Sequence, residues 1–370
     1  MSRARSEAAK ADAARSAMLK RIMDEAQVAY GAAIAAQING EDASALWDRF
    51  GAITGIAMIA GWVQGADGAS AIAEAAGLKR DHRKAAHARS ASLLKALLNT
   101  IDPRKGFTLT LKPAREALAA HTKRVPIATT ALWGLLQRAM TAGKQVADQE
   151  RTMGVDHIMR RSPEVRSVID GSFWASGVGE GGAEEIKNLL TESMQSGYKS
   201  RLVRKRLKLI RQSDKITLPE FIDESLIRTG ANLTRARVET IYRVAVNKAY
   251  NRGHLDVVTR PQVQAIIPLV EINEIHDRRT RGAPGTNNPG FHWQMDGYIN
   301  TASYVRGNAL TPPCGYNCRG SLIGVTLPRA ERLGLVDSHG QPVAQAITAH
   351  NGVRQRIVDR GDYPDKGWLG

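Results

Sequence analysis

IHDRRTRGAPGTNNPGFHWQMDGYINTASYVRGNALTPPCGYNCRGSLIG, residues 275–324, holds both cysteines of the chain, Cys314 and Cys318, and two of its nine histidines, His276 and His292. Pro, Gly and Asn interrupt it throughout, which predicts loops and short strands in place of helix. A chain with helical patterns elsewhere that gathers its sulfur, imidazole and polar side chains in one irregular segment places a site there.

The flanks set the fold. Upstream, Thr234 is a candidate N-cap for a helix to Arg252, with Gly253 as its stop and Val238, Ile241, Tyr242, Ala245 and Ala249 as its buried stripe. Residues 263–275 (VQAIIPLVEINEI) are apolar and β-branched and predict one or two strands leading into the loop. Ser321–Leu327 predicts another strand, so the expected local geometry is strand, loop, strand around one site. Residues 341–370 read as an extended, poorly packed tail, apart from a helical pattern over Val343–His350.

Farther upstream the three-and-four spacing of apolar residues predicts helices over Ala8–Ala36, Ser44–Gln64 and Pro126–Arg151. Gly51, Ala52, Gly55, Ala57, Ala60 and Gly61 would let the second of these approach a neighbour closely. Phe107–Leu111 alternates as a short extended piece, and Lys79–Lys84 is a basic turn between helical patterns at 69–77 and 90–98. Helix is expected again from Ser162, broken at Gly177–Gly182 and resumed at Ala183. The fold class that follows is mainly α: a long α-helical N-terminal region (1–154), a helical connecting region (155–233), a small α+β C-terminal domain with a loop-rich Cys/His segment (234–340) and the tail (341–370).

The chain has 370 residues, 43% hydrophobic, 5% aromatic, and a net charge of +16. The apolar fraction supplies a core, and the positive surplus implies a polyanionic neighbour, nucleic acid or an acidic protein surface. Two cysteines make no disulfide framework, and their spacing suggests a local pair or a metal clip. The charged start carries no secretory pattern. The most apolar run, Gly51–Val63, falls short of the roughly 20 residues of a spanning helix. No membrane anchor is expected, and the chain reads as a soluble protein of a reducing compartment.

Three chemistries suit the polar residues. Cys314 and Cys318 with His276 and His292 offer two thiolates and two imidazoles, a tetrahedral structural-zinc set; the alternative is two free or loosely paired thiols. Cys318, His292 and Asp296 can be drawn as nucleophile, base and orienting acid. His276 and Asp277 beside the cysteines suggest a metal-dependent nuclease or hydrolase. No nucleophile elbow, HExxH or P-loop accompanies them, and a hydrogen-bonded loop network with Asp277, Arg281 and Arg319 as clamps is the competing structural reading. Separately, Arg201, Arg204, Lys205, Lys208, Arg211 and Lys215 share one helical stripe while Val203, Leu207 and Ile210 line another. Such a stripe can track DNA phosphates without reading sequence.

In order, the residues Asn251-Arg252-Gly253, Asp277-Arg278-Arg279-Thr280-Arg281, His292, Gly297, Pro312-Pro313 and Asn317-Cys318-Arg319 resemble the C-terminal domain of the phage Mu F-like minor head proteins, also called phage head morphogenesis proteins. The resemblance covers about Thr234–Leu327. Gly320 stands where that family commonly has a second cysteine, and the Arg281–His292 spacing is longer than the family's. The resemblance implies a virion protein that acts at the portal vertex in head assembly, DNA packaging or genome ejection. Its partners would be portal protein, major capsid protein or both, together with the double-stranded DNA backbone, and it would bind without turnover. Asp277, Arg279, Thr280, Arg281, His292, Gly297, Asn317, Cys318 and Arg319 would then form a structural loop network. The rival readings are the metal-dependent nuclease and a cytosolic nucleic-acid-binding protein unrelated to virions.

Overall fold

The computed structural model describes residues 2–76, 129–173, 180–212, 218–276, 278, 280–287, 290–313, 318 and 320–363. Outside the described residues lie the expected pieces at 79–84, 90–98 and 107–111, the helix start at Pro126, and Lys215, Asp277, Arg279, Cys314, Asn317 and Arg319. The protein is mainly helical, with a small antiparallel sheet in its C-terminal region. It divides into two compact units: Met1–Ile56 with Ala96–Tyr242, and Ala57–Lys95 with Arg243–Gly370.

The first unit is built from helices α1 (Ser2–Ile38), the start of α2 (Ser44–Ala75), α3 (Thr129–Met159), α4 (Pro163–Ile169), α5 (Glu180–Ser196), α6 (Ser200–Arg211) and the start of α7 (Glu224–Val258). Tyr30, Trp47 and Phe50 meet edge to face at its centre, with ring centroids 5.1–6.0 Å apart. Small residues let the helices touch backbone to backbone. A Cβ on Gly31 would lie 2.2 Å from the Met194 carbonyl oxygen, and one on Gly143 would lie 2.2 Å from that of Gly51. The expected close packing of the Gly51–Gly61 helix is therefore present. Ser162 caps α4 by accepting from the Val165 N–H at 3.2 Å, with Pro163 in the first turn where its missing N–H costs nothing.

In the second unit, the end of α2 packs against the end of α7, where a Cβ on Gly65 would lie 1.7 Å from the Tyr250 carbonyl oxygen. Then follow α8 (Pro261–Gln264), β1 (Leu269–Asn273), α9 (His292–Met295), β2 (Tyr298–Asn300), α10 (Ala302–Gly307), β3 (Ser321–Val325), α11 (Leu327–Arg332), α12 (Ala344–Asn351) and α13 (Val353–Asp359). The sheet order is β2-β1-β3, antiparallel throughout, with Val270 opposite Asn300 and Gly324. The two-residue period of a strand sends Val270, Ile272, Tyr298 and Leu322 to one core with Leu255 and Val258. Leu269, Ile299 and Val325 go to another with Ala330, Leu335 and Ile347.

Several expectations are corrected. Gly253 does not stop its helix, and Thr234 does not start it: α7 runs unbroken from Glu224 to Val258. Gly253 is instead a contact point, where a side chain would collide with the Trp62 carbonyl oxygen at 2.0 Å. The expected boundaries at residues 154 and 234 both fall inside helices. Residues 261–264 are helical because Pro261 sits at a first-turn position, so the strand is confined to 269–273. Helix α5 begins at Glu180 and runs through Gly181 and Gly182, where a break was expected.

In the tail, α12 falls where a helix was expected, but the described residues after it are not extended or poorly packed: they form α13, and Ile347, Ile357 and Tyr363 are buried. Its Asn351 clamps edge strand β2, accepting from the Ile299 N–H at 3.0 Å and donating to the Ile299 carbonyl at 2.7 Å. An edge strand's unpaired backbone groups need such partners. Among the described residues, no helix is long and apolar enough to cross a membrane.

Candidate functional site

Glu274 follows β1, His292 opens α9, and Cys318 precedes β3. The fold brings these three side chains to one buried point, with potential ligand atoms all within 4.8 Å of one another. The Glu274 Oε1 lies 3.3 Å from the His292 Nδ1 and 3.8 Å from the Cys318 Sγ. Glu274 is 5% exposed, His292 2% and Cys318 5%. The Tyr363 ring meets the imidazole edge to face at 5.3 Å.

Backbone anchoring explains why the point is well defined. The β1–β3 register pairs Asn273 with Ser321, which sets Glu274 beside Gly320. The Glu274 N–H donates to the Asp296 Oδ1 at 2.9 Å. Gly297, at φ +77°, turns the chain after α9 so that its N–H reaches the Ile272 carbonyl at 2.8 Å. On the other side, buried Asn251 of α7 accepts from the Leu322 N–H at 2.7 Å and donates to the carbonyls of Pro312 at 3.0 Å and Gly320 at 3.3 Å. Asn247 adds a bond to the Gly320 carbonyl at 2.8 Å. One helix thereby pins both the chain before the cysteine loop and the strand after it.

Burial and charge act against each other in the cluster. Burial drives the Glu274 carboxyl up to about 7, against the pull of the His292 hydrogen bond. Burial alone would lower His292, but its hydrogen bonds to Cys318 and Glu274, with their charges, outweigh it and raise the imidazole to about 9. The charges sit in a space from which water is largely excluded, so the protonation of Glu274 and that of His292 depend on each other and on Cys318.

His292 and Cys318 are thus together, as the zinc reading requires. His276 is not with them: its Nε2 faces the Asp296 Oδ2 at 3.3 Å and its ring stacks on Trp293 at 4.1 Å. Cys314 lies outside the described residues. The drawing of Asp296 as orienting acid is also corrected, because the carboxylate beside His292 belongs to Glu274. Thr280 is buried and donates to the Ile275 carbonyl, while the Arg281 carbonyl accepts from the Trp293 N–H at 2.9 Å. Those two close the loop on itself. Sequence reasoning missed Glu274. Its only signal is a charged residue ending an apolar strand, and that pattern usually marks a strand reaching solvent.

The basic stripe lies in the first unit on α6. Val203, Leu207 and Ile210 are buried, and Arg201, Arg204, Lys205, Lys208 and Arg211 are exposed. Arg204 pairs with Glu224 at 3.3 Å and Arg211 donates to the Ile222 carbonyl at 3.1 Å. Arg201, Lys205 and Lys208 present their charges beside them. No protein-family model, curated protein or solved structure matches the chain.

Proposed function

We infer that the chain is a minor head protein of a tailed bacteriophage, acting by binding at the portal vertex during head morphogenesis, packaging or genome ejection. One observation carries this reading. Asn251, Thr280, Arg281, His292, Gly297 and Cys318, six of the described residues on which the resemblance rests, are spread over separate elements yet belong to one connected packing and hydrogen-bond arrangement around β1. A set of residues that holds a small domain in shape fits a module used for assembly.

Burial of the Glu274–His292–Cys318 cluster also favours binding over turnover, since a polymeric substrate has to reach the reacting atoms. The partners in this reading are portal or capsid protein and double-stranded DNA. The exposed cations of α6 would neutralise phosphates, each adding a salt-dependent increment to affinity. The protein would pass through the host cytoplasm and reside in the virion.

Quantitative mass spectrometry of gradient-purified particles from the source phage or an induced lysogen tests the reading. A few to a few tens of copies per particle is the expected result, and absence from particles would overturn it. Incubation with supercoiled plasmid and divalent metal tests the enzymatic rival. Nicking that disappears in His292→Ala would replace binding with catalysis.

A further inference from the structure

We propose that Glu274, His292 and Cys318 bind a single zinc ion, and that Glu274 provides the ligand for which the missing side chain of Gly320 leaves space. A tetrahedral zinc ion with bonds of about 2.0–2.3 Å holds neighbouring ligand atoms roughly 3.3–3.6 Å apart. The separations of 3.3 Å and 3.8 Å around the Glu274 Oε1 are already close to that spacing. The ligand types agree as well. One sulfur, one imidazole and one carboxylate form a borderline-soft set that suits zinc, while a thiolate disfavours calcium and magnesium. A thiolate and a carboxylate around a divalent cation also cancel in charge, which favours binding at a point this deeply buried.

Gly320 supplies the second, independent observation. A Cβ at that position would lie 2.5 Å from the Glu274 Oε1 and 3.0 Å from its Oε2. The carboxylate therefore occupies the place where any side chain at residue 320 would go. A cysteine there would begin its side chain at that same place, from the residue just before β3. The outer hydrogen bonds, from the Glu274 N–H to Asp296, from Asn251 to the Gly320 carbonyl and from the Leu322 N–H to Asn251, fix the ligand-bearing chain as metal sites require.

Cobalt(II) substitution of the full-length protein, after chelator treatment, tests the site. The expected result is a thiolate-to-cobalt charge-transfer band at one equivalent, displaced by zinc. Cys318→Ser should abolish the band and Cys314→Ser should keep it. Glu274→Ala should weaken binding by more than the roughly 10–100-fold that loss of an outer-shell partner costs. Adding Gly320→Cys to Glu274→Ala should restore binding with a stronger band, now from two thiolates. A wild-type protein that gives no band overturns the proposal without recourse to any variant. So does a band that survives Cys318→Ser but not Cys314→Ser, or an affinity unchanged by Glu274→Ala. The readout is independent of whether the chain is found in particles.

Discussion

In the helical unit, Glu150 is 2% exposed and lies between Tyr30, which donates to it at 3.0 Å, and Arg237, whose Nε donates at 3.0 Å. In the sheet-bearing unit, Glu274 is buried to nearly the same degree between His292 and Cys318. Both carboxylates are out of water, yet their neighbours differ in kind. A guanidinium stays charged at any ordinary pH and forks onto a carboxylate, so the Glu150 cluster is complete in itself. The Tyr30 hydroxyl is driven well above its usual range by burial first and the Glu150 charge second, which keeps it a donor. An imidazole and a thiol can each gain or lose a proton, and both can ligate a metal. The first cluster is a finished structural joint, and the second retains chemical capacity.

The largest effect should come from Glu150→Ala, which removes the carboxylate that Arg237 holds while that side chain is 10% exposed. We expect a loss of about 3–5 kcal/mol in denaturant unfolding of the full chain. A loss below about 1 kcal/mol would erase the contrast between the units. Next is His254, buried with neither ring nitrogen hydrogen-bonded and depressed to about 4 by burial. Because the unfolded imidazole binds its proton near the ordinary value of about 6.5, stability from this group is present above that pH and lost as pH falls toward 4. Thermal melts should show wild type losing up to about 3 kcal/mol more than His254→Leu across that window. Equal acid sensitivity in the two proteins would remove His254 as the cause.

Gly65→Ala and Gly143→Ala sharpen the comparison differently, because helix approach is common to both units. Each places a methyl within 2.2 Å of a backbone carbonyl oxygen, at Tyr250 and Gly51 respectively. Each should cost about 1–3 kcal/mol, measured by chemical denaturation. A large cost at one and none at the other would mean that the units differ in packing as well as in charge. The smallest stability effect belongs to the exposed stripe. Arg201→Glu, Lys205→Glu and Lys208→Glu together should leave folding within about 0.5 kcal/mol. In a DNA-binding titration the triple variant should lower the slope of log affinity against log salt by about 3, at roughly 0.9 per phosphate. An unchanged slope would detach the stripe from DNA.

The helices were legible because their signal is local. Val203, Leu207 and Ile210 recur on one face of α6, and all three are buried. The β3 strand was legible too, as a short apolar run between loop signals. Gly253 misled because a glycine that ends a helix and one that admits a neighbouring carbonyl look the same in sequence; the difference lies in Trp62, far along the chain. Strand β2 was hidden because three residues give too short a pattern, and it is held by Asn351, whose role no local rule exposes. At the site, His292 and Cys318 stood out by residue type. Glu274 is defined only by the β1–β3 register, and a pairing between strands is a tertiary fact.

The strand order has a consequence for the timing of synthesis. Strand β1 is made first of the three and ends in the middle of the sheet, while its partner β3 comes last. Glu274 and Cys318 are 44 residues apart, so the ribosome delivers one ligand seconds before the other at about 5–20 residues per second. No ion offered during that interval meets a finished site. A chain cut short before Ser321 would carry all three side chains and still lack the pairing that unites them. Capture of a metal ion at the proposed site would therefore have to wait for the last strand to be made, and would report that it has closed.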